Sequence, residues 1–534
     1  MNLAALRQPF SSPNQEKGIC YSAYIMKLAR ALAKACLLPL CLCLAFAGIL
    51  SSGARAQAQQ APAAPSPPVA HPSHPADASP SATHSSGDSG KPSNAEFAAA
   101  ADEVLTQMSE ITGLSLRTPV KKTLRSRDEI RAYVIREMNE DKEPAERYSS
   151  ARSAEALGLL PKGFDFDNFM VDLLTEQIAG LYDPKAQEFY IADWIPIADQ
   201  KMVMAHELTH ALQDQHYKIE NWVKAARPND DAELARESVL EGSAMAAMID
   251  YLLLDKGLSI KDVPDIDPGM MVGDLGDSPS MKKAPPFLRD SLIFPYLAGL
   301  SFSAAILKPN GWSSMAKIFS SPPVSTQQIM HPALYKSGKM PVAMALPAVD
   351  NLLGPEYAKL EDNLLGEFGW KEVLKQFLGE DRATPLAAAW EGDRYVVFEQ
   401  KRTKHLVLIT RLRLAGEVQT ARFFGQYSEA LEKKHPERTN LFRRADFFSF
   451  TTPDGDVYLH CAVTECITVE GSTRTVFDAV NKAVGFPPPE APPIDPSKPQ
   501  TKIITGVIPG NANASPSRDF RGMNLPIGVF LPAS

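Results

Sequence analysis

Cysteine is scarce in this chain of 534 residues and poorly placed to build a framework. Of six cysteines, Cys20, Cys36, Cys41 and Cys43 lie close to the N-terminus, and only Cys461 and Cys466 fall in the body. That distribution excludes a disulfide-dense small scaffold and a structural zinc site made of thiolates. Excess positive charge is also missing. The 55 Lys and Arg stand against 63 Asp and Glu, a net charge of -8. A dedicated nucleic-acid binder would carry a basic patch, so no nucleic-acid partner is expected. No internal repeat at solenoid periods is visible, which excludes a repeat architecture. What is present is ordinary globular material. The hydrophobic share of 44% is enough for a sizeable core, in a chain long enough for several domains.

The N-terminus reads as an export signal over 1–56. Lys27, Arg30 and Lys34 form a basic region, residues 35–50 an apolar run, and Ala54-Arg55-Ala56 an A-x-A cleavage site, with Met26 as an alternative start. The run is shorter than the roughly 20 apolar residues that span a bilayer. The mature protein is therefore expected in the periplasm or secreted, with no stable membrane span after signal cleavage; an uncleaved anchor is the other reading. In such a compartment Cys461 and Cys466 can staple a hairpin as a disulfide, or remain two buried thiols. Residues 57–94 have almost no large apolar side chain and read as a disordered Ala/Pro/Ser linker, in which His71, His74 and His84 are solvated. The rest divides into a domain over 95–340, an accessory domain over 341–485 and a Pro-rich tail over 486–534.

Apolar periodicity predicts helices beginning near Asn94 and over 128–138, 169–178, 199–218, 232–254 and 285–307. Residues 180–184 supply turn residues, and 188–192 reads as a strand. Ser325 and Gln328 match a capping box opening a short helix, which His331-Pro332 ends. Beyond 341 the pattern becomes strands over 394–400 and 405–412, a helix over 417–434, strands over 447–451 and 457–469, and a helix over 475–484. The fold class is thus α+β: a predominantly helical domain followed by a small β-β-α-β-β-α domain.

His206-Glu207-Leu208-Thr209-His210 matches H-E-x-x-H. Residues four apart on a helix differ by about 40° around the axis and about 6 Å along it, so both imidazoles reach one ion. Glu207, on the flank, is placed to take a proton from a metal-bound water. Met204, Leu208, Ala211 and Leu212 form an apolar stripe on the opposite face. Zinc held by two histidines needs a third protein ligand. His216 is ten residues after His206, but on a continuing helix it lies about 15 Å along the axis and cannot share the ion. Glu241 is the better candidate. Its helix carries Leu234, Met245, Met248 and Leu252 near the same side, and a carboxylate facing an apolar interior must be paired or bound to metal. A solvated Glu241, or Glu237 as ligand, stays open.

This arrangement resembles the gluzincin branch of zinc metallopeptidases. The resemblance is closer to a group of mostly uncharacterised exported bacterial proteins of zincin type. The segments that carry it are Ala179-Gly180-Leu181-Tyr182-Asp183-Pro184, His206 through Gln215, Glu241-Gly242-Ser243-Ala244, the stretch from Pro322 to Pro332, and Ala387 through Arg394. The resemblance implies a zincin-like metallopeptidase domain over 95–340 holding one Zn2+ ion on His206, His210 and Glu241. It also implies a hydrolase acting on a peptide or protein substrate, with Glu207 as general base. His331 is the first candidate for a second oxyanion donor and Tyr182 the next, as a substrate contact. The strand near 187–192 is a candidate to accept an extended peptide. Many gluzincins place an Asp four residues after the ligand glutamate; here that residue is Met245, which points to Asp214 as the group supporting the ligands. The rival expectation is a non-catalytic zinc-binding envelope or interaction protein on the same scaffold.

Overall fold

The computed structural model of the protein describes residues 93–141, 144–263 and 278–489. The segments read as signal, linker and Pro-rich tail fall almost wholly outside them. Helix α1 (Asn94–Thr112) starts at a capping box between Ser93 and Glu96 and ends at Gly113 in the left-handed conformation. Strand β1 (Lys121–Arg125), helices α2 (Arg127–Asp141), α3 (Pro144–Leu157) and α4 (Phe166–Gln177), and strands β2 (Gly180–Asp183) and β3 (Glu188–Ala192) follow. Then come three long helices: α5 (Ile197–Tyr217), α6 (Asp230–Leu253) and α7 (Pro286–Asn310). They share one apolar core with α1.

The residues 180–184, expected to form only a turn, begin as strand β2. The three strands run in the order β1-β3-β2, with β3 parallel to β1 and antiparallel to β2. The candidate peptide-binding strand is therefore the central one. Both of its edges are already paired, which leaves no backbone groups to receive an added strand.

Helix α6 is the axis of this half. Almost every residue on it is buried, including Glu233, Glu237 and Glu241. Asn229 caps its start by accepting from the Ala232 N–H. A helix buried on nearly every side, with its charged groups included, lies inside the core rather than on its surface. Helix α7 packs along it. By length and composition α7 is also long and apolar enough to cross a membrane, although much of its surface is buried in the fold. The two helices touch backbone to backbone where Gly242 meets Gly299: a Cβ built on Gly242 would lie 1.9 Å from the Gly299 carbonyl carbon.

The C-terminal part holds strand β4 (Tyr357–Asn363), helix α8 (Gly366–Leu378), strands β5 (Trp390–Gln400) and β6 (Leu406–Leu414) and helix α9 (Glu417–Lys434). Strands β7 (Thr439–Arg443), β8 (Phe447–Thr452), β9 (Gly455–Ala462) and β10 (Glu465–Ser472) and helix α10 (Arg474–Ala483) complete it. All strands join one antiparallel sheet in the order β4-β5-β6-β10-β9-β8-β7. The expected β-β-α-β-β-α unit is thus short of strands. Residues 457–469 split into β9 and β10, and the sheet edges β4 and β7 were not anticipated. Side chains alternate between the faces, as period two requires. Tyr395, Val397, Leu408 and Phe448 pack with α8, α9 and the helices α2 to α4. Val396, Phe398, Val407 and Phe447 pack with α10. Cys461 and Cys466 stand opposite each other across β9 and β10 and are joined in a disulfide.

Candidate metal centre

Helix α5 buries its apolar stripe (Met204, Leu208, Ala211 and Leu212) in the core and carries His206 and His210 one turn apart. Glu241 approaches from α6. His206 Nε2 is 3.1 Å from Glu241 Oε2, His210 Nε2 is 3.4 Å from the same oxygen, and the two Nε2 atoms are 3.1 Å apart. Ligands around zinc at about 2.0–2.1 Å in tetrahedral geometry stand about 3.3 Å from one another. The three atoms therefore already outline one face of such a tetrahedron. Among the described residues this is the group of His, Cys, Asp and Glu able to hold a metal ion. Glu237, one turn earlier on α6, and His216, whose Nε2 lies 2.7 Å from the Ser115 carbonyl, are outside it.

The electrostatics follow from burial. Burial works against charge on His210, but the adjacent Glu241 carboxylate overrides it and holds the imidazole up at about 9. Burial alone would raise Glu241; the His210 charge and the hydrogen bonds from both rings bring it down to about 2. Burial and the His210 charge push His206 down. The donor set of the trio, two imidazole nitrogens and a carboxylate oxygen, suits zinc.

The support of His210 was not foreseen. Its Nδ1 lies 3.0 Å from Gln213 Oε1, Gln213 Nε2 donates to Ser243 Oγ at 2.9 Å, and Ser243 donates to the Val239 carbonyl at 2.7 Å. A serine hydroxyl has one proton, so Ser243 accepts from Gln213. That orients the amide with its oxygen toward His210, which must present Nδ1–H there and leave Nε2 to face the trio. Asp214, expected in this role, instead accepts from the Tyr182 hydroxyl at 3.1 Å and from the Ile219 N–H at 3.2 Å. Its side chain leaves α5 about 100° away from that of Gln213, which turns it from the histidine face. The His206 ring lies over Tyr296 of α7, its centroid 6.0 Å away, and its buried Nδ1 has no hydrogen-bond partner among the described residues.

Glu207 is fully buried, and one of its oxygens accepts the Tyr182 backbone N–H at 2.8 Å. That N–H lies on the edge of β2 away from β3. It reaches Glu207 because Gly180 lets the strand settle on α5, where a Cβ would meet Val203 at 2.6 Å. The Tyr182 side chain, expected to contact substrate, is 1% exposed and committed to Asp214, so the residue acts through its main chain. His331 pairs with the buried Glu367 at 2.7 Å, a bond that raises its pKa. Among the described residues no hydrogen bond links His331 to the trio. Only the position of Gln213, three residues after His210 and on the same helix face, could have flagged the support.

Residues 356–484 match a family described as a domain of unknown function (DUF8575), and His206, His210 and Glu241 lie outside that match. No curated protein and no solved structure matches the chain.

Proposed function

We propose that the mature chain is an exported zinc-dependent peptidase of zincin-like layout, with His206, His210 and Glu241 as ligands and Glu207 as general base. The observation that carries the reading is the triangle of two Nε2 atoms and one carboxylate oxygen, with Glu207 next to His206 on the same helix. Zinc held there would supply Lewis acidity and bring a coordinated water to a pKa of about 7. The protein's own groups divide the remaining work. The Gln213–Ser243 chain fixes the tautomer of His210. The Tyr182 N–H holds Glu207 in one orientation. Glu207 takes a proton from the attacking water and passes it to the leaving amine of the peptide. His331 and the Tyr182 hydroxyl have no part as oxyanion donors in this scheme, because each is bonded elsewhere.

One observation favours a second reading, in which the metal only holds α5 to α6. His206 and Glu207 are 0% exposed and His210 and Glu241 5%, which is closed for a centre that must admit a peptide. A single comparison separates the two. The purified protein and Glu207→Gln are analysed for zinc and assayed on a broad peptide library. The peptidase reading expects zinc in both and cleavage reduced about 10²- to 10⁴-fold in the variant. Zinc in both with no cleavage by either leaves only the structural role.

A further inference from the structure

The face of α5 that carries His206 and His210 continues through Gln213 to Tyr217, at steps of four, three and four residues. At its far end lies a cavity of about 280 Å³, bounded by the end of α1, by α5 and α6, and by the short helix Ser313–Ser320. Its walls are Ile111, Leu114, Met315 and Phe319, and Phe319 is stacked on Tyr217 with ring centroids 3.9 Å apart. Three buried polar side chains line it, Thr112, Gln213 and Ser243, together with the exposed Glu110 and Ser313.

Gln213 is the informative one. It is 2% exposed. Its amide oxygen accepts from His210 and one N–H goes to Ser243. A primary amide has two N–H groups, and among the described residues the second has no acceptor. An unused N–H on a buried amide that lines a cavity with largely apolar walls is placed to take an acceptor from a ligand.

We infer that this cavity binds an aromatic or large aliphatic group whose neighbouring carbonyl accepts the second N–H of Gln213. The volume fits a phenylalanine-sized side chain, the stacked Tyr217–Phe319 wall offers a ring surface, and Gln213 discriminates in favour of an acceptor. The site does not require that the chain be a hydrolase. Because Gln213 also holds His210, a ligand here contacts the residue that orients a candidate metal ligand.

The test uses the full chain and three probes, N-acetyl-phenylalaninamide, N-acetyl-glycinamide and ethylbenzene, titrated by calorimetry with Trp312, in the cavity lining, as fluorescence reporter. The phenylalanine amide should bind at least about tenfold more tightly than the glycine amide, which lacks the ring, and than ethylbenzene, which lacks the acceptor. Ala316→Phe places a ring in the mouth from an exposed position and should weaken the phenylalanine amide about tenfold with the unfolding midpoint unchanged. Ser313→Phe, also exposed on the lining, replaces it if Ala316→Phe does not fold. Failure of the phenylalanine amide to bind overturns the inference, as does equal binding to wild type and a folded filled variant. Binding is read without cleavage, so a protein that takes the amide but hydrolyses nothing keeps this site and loses the peptidase reading.

Discussion

The contact between Gly242 and Gly299 allows the placement of Glu241 to be tested without touching a ligand. In Gly242→Ala the new Cβ would lie 1.9 Å from the Gly299 carbonyl carbon and 2.0 Å from its oxygen, where ordinary contact begins at 3.4 Å. Both obstructing atoms are backbone, so no rotamer change relieves them. Helices α6 and α7 would have to separate by the difference, about 1.5 Å, along a shared buried face. Overpacking on that scale costs about 3 kcal/mol, the upper part of the usual range. Glu241 is the preceding residue, and metal ligation tolerates displacements of only about 0.2 Å. The variant should therefore lose both stability and zinc affinity, the latter at least about tenfold. Stability is read by urea titration in chelator, which removes the metal's own contribution, and zinc affinity by competition with a chromophoric chelator. Gly425→Ala is the internal control. This glycine is inside α9 with nothing within 4 Å of its would-be Cβ, so alanine should stabilise by about 0.5–1 kcal/mol. A Gly242→Ala protein within about 0.5 kcal/mol of wild type and with unchanged zinc affinity would refute the packing argument.

Further outcomes follow from individual contacts. Gln213→Leu leaves the His210 Nδ1–H buried without its acceptor, and zinc affinity by the same competition should fall about 10- to 100-fold. Burial raises Asp231 to about 8, with the Asp393 and Glu367 charges adding to it against the hydrogen bonds from Thr326. The native state then holds a proton that the unfolded chain releases near 4. Stability should consequently decline as pH rises from about 4 toward 8, and urea midpoints at pH 5 and 8 should differ less in Asp231→Asn; equal differences would remove Asp231 as the cause. Replacing Cys461 and Cys466 by serine opens a loop of sequence separation 5 and should cost about 2 kcal/mol in denaturant titration under oxidising conditions. A loss shared equally by the reduced wild type would locate the effect in the bond rather than in the side chains.

Much of the helical half was legible because its signals are local. The periodic apolar residues of α1, α5 and α6 fix helix and face together, and in the C-terminal part the predicted and observed bounds of α9 coincide. The missed elements lack that signal. Strand β1 is Lys-Lys-Thr-Leu-Arg, and β4 is Tyr-Ala-Lys-Leu-Glu-Asp-Asn. Both are edge strands whose polar side chains carry no alternation strong enough to announce them. Each exists because a neighbour, β3 or β5, offers unpaired backbone groups. Strand β2 was hidden for a related reason. Gly180 and Asp183-Pro184 are turn residues by composition, and only pairing with β3 makes Gly180–Asp183 a strand.

The candidate site divides along the same line. His206, Glu207 and His210 are set by the geometry of one helix, and Glu241 could be reached from the cost of an unpaired buried carboxylate. What surrounds them depends on how elements rotate against each other, which no local pattern encodes. Ser243 reaches Gln213 because α5 presents Gln213 rather than Asp214 to α6. Tyr182 makes the point most sharply. Read for its side chain, it looked like a substrate contact. In the fold the ring and hydroxyl are spent on packing and Asp214, while the backbone N–H, a group every residue but proline possesses, orients Glu207. In Tyr182→Phe that bond should persist with only the Asp214 partner lost, whereas in Gly180→Ala the new Cβ, 2.6 Å from a Val203 methyl, should crowd β2 against α5 and weaken it. The residue that brings the Tyr182 N–H to Glu207, the proposed general base, is therefore the glycine.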